Sequence, residues 1–388
     1  MLAALSGFVP AASGRSRPMK VVVAPDSFKG TVGADEAAEL IAAGWKARRP
    51  EDELVRKPMA DGGEGTLAAL AAAIPGAQWE HARVLGPDGS ALDAPWLILP
   101  DRTAAVELAS ASGITLMGPL APLDAHTFGL GQVIAAALDA GATRVLVALG
   151  SSASTDGGSG MLSALGARFA TADGQPIGLG GQALISLRAI DLGGLARVPS
   201  RGVIGLSDVT NPLLGPHGAA TVFGPQKGAD AEEVRVLERA LTTYVSVLGD
   251  AGVQLASDAA GAGAAGGTGF GLMVWGGRLE SGASAIAGVI GLADAVDAAD
   301  LVITGEGQFD GQSLAGKVPS EVLSIGRRAH VPAALVAGRI AAATDGFALA
   351  VSLTESAGST RAAMADPRRW LIDSGSRLAA AFPAPAAT

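Results

Sequence analysis

The chain has 388 residues, a length that predicts two or three domains, or two domains with an insertion. Its 49% hydrophobic residues can form buried cores and exclude a disordered protein, and the net charge of −9 favours neither nucleic acid nor an anionic membrane as a partner. The absence of cysteine excludes disulfides, thiolate nucleophiles and cysteine-based metal sites.

The first segment, residues 1–18, is predicted to be a disordered extension. Its weakly apolar run has no basic residue before it, whereas Arg15 and Arg17 follow it, which is the reverse of a secretory signal. The apolar stretches elsewhere are interrupted before they reach the roughly 18 residues that a membrane span needs. We therefore expect a cytoplasmic protein, and the sequence does not set its oligomeric state.

Short β-branched runs alternate with helical spacing along much of the chain. The pattern predicts a buried strand over Lys20–Ala24, a helix over Asp35–Arg48, a second strand over Glu53–Met59 and a helix over Thr66–Ala73. This alternation predicts an α/β fold with a parallel sheet and crossover helices. Further segments with the same pattern are the helices Gly131–Ala140 and Gly160–Gly166, and the strands Val145–Leu149, Leu301–Thr304, Ala333–Ala337 and Phe347–Leu353.

Between these blocks the sequence changes character. Two runs, Leu92–Leu99 and Ala104–Leu108, are typical of antiparallel strands, and Gly174–Gly194 and Ala259–Gly271 are rich in glycine. The change indicates a second, mixed α/β domain inserted into the first. We expect the first domain to contain residues 19–85, about 120–165 and 290–388, and the inserted domain to contain about 86–119 and 166–289.

Glycine-rich loops that carry carboxylates or hydroxyls follow several of these strands. Ligands of parallel α/β sheets bind outside the carboxyl ends of the strands, where loops from different strands converge. Any one such loop is also consistent with an ordinary turn or helix cap, but five together favour a shared site. The loops are Asp26–Gly30, Asp61–Thr66, Ser151–Gly158, Ser207–Pro212 and Gly305–Asp310.

The residue types in these loops suit phosphoryl transfer. That reaction needs Mg²⁺ held by carboxylates, lysines and N–H groups around the phosphates, and an aspartate that orients the attacking hydroxyl. Glycoside hydrolysis could also use paired carboxylates, but only 4% of the residues are aromatic, which leaves few platforms for a sugar.

Two nucleotide-binding motifs are matched in part. The run Gly311–Lys317 has P-loop spacing, but Val318 stands where Ser or Thr is required, and we do not expect the run directly between a strand and a helix. The run Gly261–Gly266 matches G-x-G-x-x-G without a convincing strand before it. An NAD(P)-dependent oxidoreductase of small hydroxy acids is therefore the alternative function, and a non-catalytic sugar-acid sensor is a third.

From Met19 to about Ser356 the chain resembles the bacterial glycerate kinases that phosphorylate D-glycerate with ATP. The resemblance implies a flavodoxin-like parallel-sheet domain with a second, inserted domain and an active site in the cleft between them. It also implies ATP as the phosphate donor and a phosphoglycerate product, usually the 2-phosphate, and the loop chemistry adds Mg²⁺ as an expected cofactor. The segments that carry it are Ala24–Gly30, Ala60–Thr66, Ser152–Gly158, Asp208–Leu213, Phe223–Gly228, Gly261–Gly269, Val302–Gly307 and Gly316–Pro319.

Within these segments we assign candidate roles. Asp208 is the leading candidate for orienting the glycerate hydroxyl, with Asp156 and Asp61 as rivals. Phosphate or carboxylate contacts are assigned to Lys29, which we also place among the catalytic candidates, and to Lys227 and Lys317. Glu306 and Asp310 are candidates for Mg²⁺. The remaining candidate binding residues are Asp26, Ser27, Gly62, Gly63, Ser152, Thr155, Asn211, Gly266 and Gly267, and Glu306 is a binding candidate as well.

Two positions depart from the family's usual pattern. Ser151 stands where a second glycine is usual, which restricts the backbone of that loop. Gln308 stands where arginine is frequent, and it carries no positive charge that could neutralise a phosphate or a carboxylate there.

Overall fold

The computed structural model describes residues 17–311, 313 and 316–383. The extension predicted at the amino terminus therefore lies almost wholly outside the described residues. In the described part of the chain, no helix is both long enough and apolar enough to cross a membrane.

Thirteen strands and fourteen α-helices make up the described chain. The strands are β1 (Lys20–Pro25), β2 (Glu53–Arg56), β3 (Gln78–Leu85), β4 (Ala91–Ile98), β5 (Thr103–Glu107), β6 (Arg144–Ala148), β7 (Arg168–Ala170), β8 (Ala189–Asp191), β9 (Val203–Leu206), β10 (Arg278–Glu280), β11 (Leu301–Phe309), β12 (Ala333–Ile340) and β13 (Leu349–Ser352). The helices are α1 (Ala34–Arg48), α2 (Thr66–Ala73), α3 (Leu108–Ser112), α4 (Phe128–Asp139), α5 (Ser159–Ala164), α6 (Ala219–Phe223), α7 (Ala231–Asp250), α8 (Ala264–Val274), α9 (Gly282–Val289), α10 (Leu292–Asp297), α11 (Val318–Arg328), α12 (Leu353–Ala357), α13 (Thr360–Ala365) and α14 (Pro367–Ala381). Short 3₁₀ helices cover Ile114–Leu116, Gln182–Ser186 and Pro225–Lys227.

The first sheet contains five strands in the order β13-β12-β11-β1-β2, and the pairs given by the register are all parallel. Numbered within this sheet alone, the order is 2-1-3-4-5, which is the flavodoxin-like order. The β-branched run of β1 is buried on both faces, because helices cover both sides of the sheet. The predicted flavodoxin-like domain is thereby confirmed.

The second sheet contains six strands in the order β10-β9-β6-β5-β4-β3. Strands β5, β6, β9 and β10 are parallel, whereas β3 and β4 are antiparallel to their neighbours. The predicted antiparallel pair, β4 with β5, is confirmed. The sheet is mixed, and its strands all fall between β2 and β11 of the first sheet, so the second unit is an insertion.

The division between the two units differs from the expected one at β6. We expected this strand in the first sheet, but Leu146 pairs with Ala105 of β5 and Ile204 of β9 in the second. A short apolar strand buried on both faces has the same pattern in either parallel sheet, so the sequence could not assign it. We propose that the inserted domain is one continuous segment that begins with β3 and ends with β10.

The two sheets and their helices form alternating layers. Helices α1 and α14 cover the outer face of the first sheet, where Trp45 and Leu371 join the core that contains Val21 and Val23. Helices α4 and α8 pack on the outer face of the second sheet, and α5 and α7 join the same apolar cluster. Between the sheets lies a shared layer of α2, α9, α10 and α11. Its apolar side chains form a single cluster with residues of both sheets, including Val22, Leu70, Leu146, Ile204, Ile286 and Val322.

Candidate functional site

Two adjoining cavities lie where the loops at the carboxyl ends of both sheets meet. The larger, of about 1090 Å³, is bordered by loops that follow β1, β2, β6 and β9. The smaller, of about 370 Å³, is bordered by the ends of β1, β11 and β12 and by α12–α14. We call them the large cavity and the small cavity. Their shared wall contains Ser27, Lys29, Thr31, Asp61 and Lys317.

The loop after β2 is held by close backbone contacts to the inserted domain. Gly62 accepts a hydrogen bond from Gly150 N–H at 3.1 Å, and its φ of +85° is readily available only to glycine. A Cβ on Gly62 would lie 2.7 Å from the carbonyl oxygen of Leu206, and one on Gly282 only 1.9 Å from that of Asp61. Glycine at these positions lets loops from both domains meet without side chains between them.

Asp208 and Asp61 approach each other in this region. Asp208 Oδ1 accepts hydrogen bonds from Ser281 Oγ at 2.8 Å and from Gly282 N–H at 3.1 Å. Partial burial raises the pKa of Asp208, and the negative charge of Asp61 raises it further. Asp61 Oδ2 itself lies 3.6 Å from Lys29 Nζ. The wall of the large cavity therefore contains a carboxylate with increased basicity, held in a fixed orientation by two donors.

Lys227 is a buried lysine that also lines the large cavity. Its Nζ donates to the carbonyl oxygen of Ser154 and lies 3.4 Å from Ser152 Oγ. Burial lowers the pKa of Lys227 to about 7, although the charge of Asp156 opposes the shift. An anion bound in the large cavity would favour the charged form of this lysine.

The small cavity contains two buried carboxylates at the carboxyl ends of adjacent strands, Asp26 after β1 and Glu306 in β11. Burial raises the pKa of both groups, that of Glu306 to about 7. The negative charge of Asp61 raises the pKa of Asp26 further. Glu306 Oε1 is buried and has no hydrogen-bond partner among the described residues. An unsatisfied buried carboxylate oxygen suits a cation or a donor supplied by a ligand.

Most of the predicted site residues border one of the cavities, but Asp156 does not. Its carboxylate is fully buried and accepts hydrogen bonds from Thr127 N–H and Oγ1 at 2.9 and 2.8 Å. Gly158 and Gly160 donate to it from the backbone at 3.1 and 3.2 Å. These four donors occupy the carboxylate, so Asp156 positions the loop after β6 and does not face a substrate in this arrangement.

Three further candidates are likewise absent from the cavity walls. Thr155 is fully buried, and Asn211 Nδ2 donates to the carbonyl oxygen of His217 at 2.9 Å. Gly267 lies behind the wall, where a Cβ would come within 2.8 Å of Gly157 Cα. The candidates that do border a cavity are Asp26, Ser27, Lys29, Asp61, Gly62, Gly63, Ser152, Asp208, Lys227, Gly266, Glu306, Asp310 and Lys317.

The two partial nucleotide motifs have different environments. The P-loop-like run does lie between a strand and a helix, β11 and α11, contrary to the expectation, and Lys317 borders both cavities. Part of that run lies outside the described residues. The run Gly261–Gly266 follows a turn and not a strand, and it overlaps the start of α8, where Ala265, Gly266 and Gly267 have positive, non-helical φ values. It therefore lacks the strand–turn–helix context of a dinucleotide site.

Arg339 borders the small cavity and was not among the predicted residues. In the pairing of β11 with β12 it lies directly beside Gln308. The strand predicted from the sequence ends at Ala337, whereas β12 continues to Ile340 and so brings Arg339 to the cavity. Arg339 places a guanidinium next to the position where the family frequently has its arginine.

Ser151 has a φ of +60°, so its position requires the left-handed conformation that the usual glycine adopts easily. Ser151→Gly should therefore increase the free energy of unfolding by about 0.5–1 kcal/mol, the relief of strain being partly offset by the flexibility of glycine in the unfolded chain. Chemical denaturation measures the change. The matched control, Ser284→Gly in α9, should instead lower stability by a similar amount. Equal effects of the two variants would contradict the interpretation.

Comparison with known proteins adds independent information. The sequence model of the Glycerate kinase family matches residues 21–383. The chain is 42% identical over 327 residues to the Glycerate 2-kinase of Escherichia coli K12, covering 83% of this chain and 86% of the relative. It is also 42% identical over 327 residues to the Glycerate kinase of Bacillus subtilis 168, covering 83% and 85%.

A solved structure shows the same architecture. The crystal structure of a proposed glycerate kinase 2 from Salmonella typhimurium LT2 superimposes with a TM-score of 0.83 at 36% sequence identity. The match covers 94% of this chain and 98% of that chain.

Proposed function

Because the chain belongs to the glycerate kinase family, we propose that it transfers the γ-phosphate of ATP to a hydroxyl of D-glycerate and releases 2-phosphoglycerate. The observation that carries the proposal is the wall shared by the two cavities, where Lys29, Lys317 and Asp61 lie between two spaces, one for each substrate. The name of the Escherichia coli relative, Glycerate 2-kinase, supports the 2-phosphate over the 3-phosphate.

Asp208 would orient the attacking hydroxyl and accept its proton. A base works best when its pKa lies close to the working pH. Burial and the neighbouring carboxylate of Asp61 both raise the pKa of Asp208 from its usual low value towards that pH. Ser281 and Gly282 hold one carboxylate oxygen in place. Asp61 is the remaining rival for this role because it borders the same cavity.

Three lysines would balance the negative charge of the reactants. Phosphoryl transfer relies mainly on positioning and on electrostatic stabilisation of charge spread over the phosphate oxygens. Lys29 and Lys317 lie at the shared wall and would contact the transferring phosphate. Lys227, buried on the side of the inserted domain, would contact the carboxylate of glycerate. Ser27 and Ser152 can donate further hydrogen bonds to the same anions.

The residues of the small cavity fit a magnesium ion brought in with the nucleotide. Mg²⁺ is commonly held by one or two carboxylates together with substrate phosphates and water. No cluster of three potential metal-ligating His, Cys, Asp or Glu residues occurs among residues 17–311, 313 and 316–383. Glu306, through its unpartnered Oε1, and Asp310 would hold the ion. When bound, Mg²⁺ neutralises charge on the phosphates.

The decisive experiment follows ADP release by a coupled assay, with D-glycerate as the sole acceptor and with or without EDTA. We expect turnover that depends on glycerate and stops when Mg²⁺ is removed, and NMR of the product should show phosphate on the 2-oxygen. Absence of ADP release with tight binding of NAD(P) would instead favour the oxidoreductase. Glycerate binding without turnover would favour a sensor.

A further inference from the structure

We propose that the small cavity binds the adenosine part of the nucleotide, with the phosphate chain extending to the shared wall and glycerate bound in the large cavity. This inference rests on the proposed kinase function, because it assigns each substrate to one of the two spaces. It is supported by the apolar side chains on one side of the small cavity, by the place of that cavity in the first sheet and by the position of the lysines.

The side of the small cavity formed by α12, α13 and the start of α14 carries a group of apolar side chains. Leu353, Ala363, Met364 and Pro367 contribute them, and two threonines of the same helices lie among them. Met364 is 57% exposed, although large apolar side chains are normally covered. A purine ring needs apolar surface for its faces, and a thioether makes favourable contacts with aromatic rings. An adenine base seated here would cover Met364.

The large cavity brings polar side chains together away from α12–α14. Its lining includes apolar residues as well, but Ser151, Ser152, Asp208 and Lys227 contribute hydroxyls and charges. Glycerate is a three-carbon acid with polar groups on every carbon, so it needs many hydrogen-bonding partners and little apolar surface. The large cavity offers those partners, whereas the side of the small cavity formed by α12–α14 offers mainly apolar surface.

Size and position agree with this assignment. The small cavity, at about 370 Å³, falls within the range of sites that enclose a ligand the size of a nucleoside. It lies at the carboxyl ends of β1 and β11, the place in the first sheet where the strand order reverses and where such sheets bind ligands. Lys29 and Lys317 line both cavities, so phosphates extending from the small cavity would reach the wall of the large one.

The test compares Met364→Asp with Ala365→Asp on the same helix. Both residues are exposed, but only Met364 borders the small cavity, so the second variant controls for the added charge on α13. We expect Met364→Asp to raise the KM for ATP at least about tenfold, with the KM for glycerate and kcat within twofold of wild type. Ala365→Asp should leave all three values unchanged.

A binding measurement separates this inference from the proposed function. Isothermal titration calorimetry in the absence of glycerate should show that adenosine and ADP each bind to the wild-type protein. The affinity for each ligand should fall at least about tenfold in Met364→Asp. Unchanged affinities in that variant, or a loss confined to glycerate, would overturn the assignment even if the enzyme phosphorylates glycerate. A wild-type protein that binds adenosine at Met364 but releases no ADP would refute the function and retain the subsite.

Discussion

Asp208→Asn should lower kcat for glycerate phosphorylation at least about a hundredfold, with little change in either KM. The amide oxygen can still accept the hydrogen bonds of Ser281 and Gly282, so the loop should keep its conformation. What the variant loses is the group that takes the proton of the substrate hydroxyl. Such a base contributes about 10²–10⁴-fold to the rate of the reaction. Steady-state kinetics with each substrate varied in turn measures the effect.

Ser281→Ala provides the control for this result. It keeps the carboxylate but removes a hydrogen bond that holds the pKa of Asp208 down, so that pKa should rise. Because the base must be ionised to act, the acidic limb of the kcat–pH profile should move to higher pH, with less than about a tenfold loss at the optimum. Near-normal kcat in Asp208→Asn, with no movement of the profile in Ser281→Ala, would transfer the role to Asp61.

Gly282→Ala should damage the site without removing any of its functional groups. The added Cβ would lie 1.9 Å from the carbonyl oxygen of Asp61 and 2.7 Å from Gly62 N, so the loop after β2 must move away from Asp208. A displacement of about 1 Å at a reacting group can cost about a hundredfold in rate. The crowding should also lower the free energy of unfolding by about 1–3 kcal/mol. Activity measurements and thermal unfolding report the two effects separately.

Gly288→Ala is the matched control, because Gly288 lies in the same helix α9 with open space around its Cα. Alanine favours helix over glycine, so this variant should gain up to about 1 kcal/mol of stability and keep its kcat. If the two glycine-to-alanine variants behave alike, the close approach of Gly282 to Asp61 has no role in positioning the site.

The sequence predicted the strands of the first sheet and the loops that end them, because apolar runs followed by glycine and polar residues are local signals. It ranked Asp208 above Asp156 but could not remove Asp156 from the candidates, since both lie in polar loops after buried strands. The difference arises from Thr127, a distant residue whose N–H and hydroxyl both bind Asp156. Arg339 was missed for a related reason: its place beside Gln308 depends on strand register, which no local pattern specifies.

The apolar layer shared by the two sheets has a consequence for how the substrates enter. Swinging one domain away from the other would expose side chains such as Leu146, Ile204 and Ile286 to water, at about 1.5–3 kcal/mol for each one fully uncovered. A few such side chains would offset much of the 5–15 kcal/mol that keeps a typical domain folded. The clamshell opening common in two-domain enzymes is therefore costly in this architecture, and we expect substrate access to depend on segments outside that layer, such as the α13 helix at the small cavity.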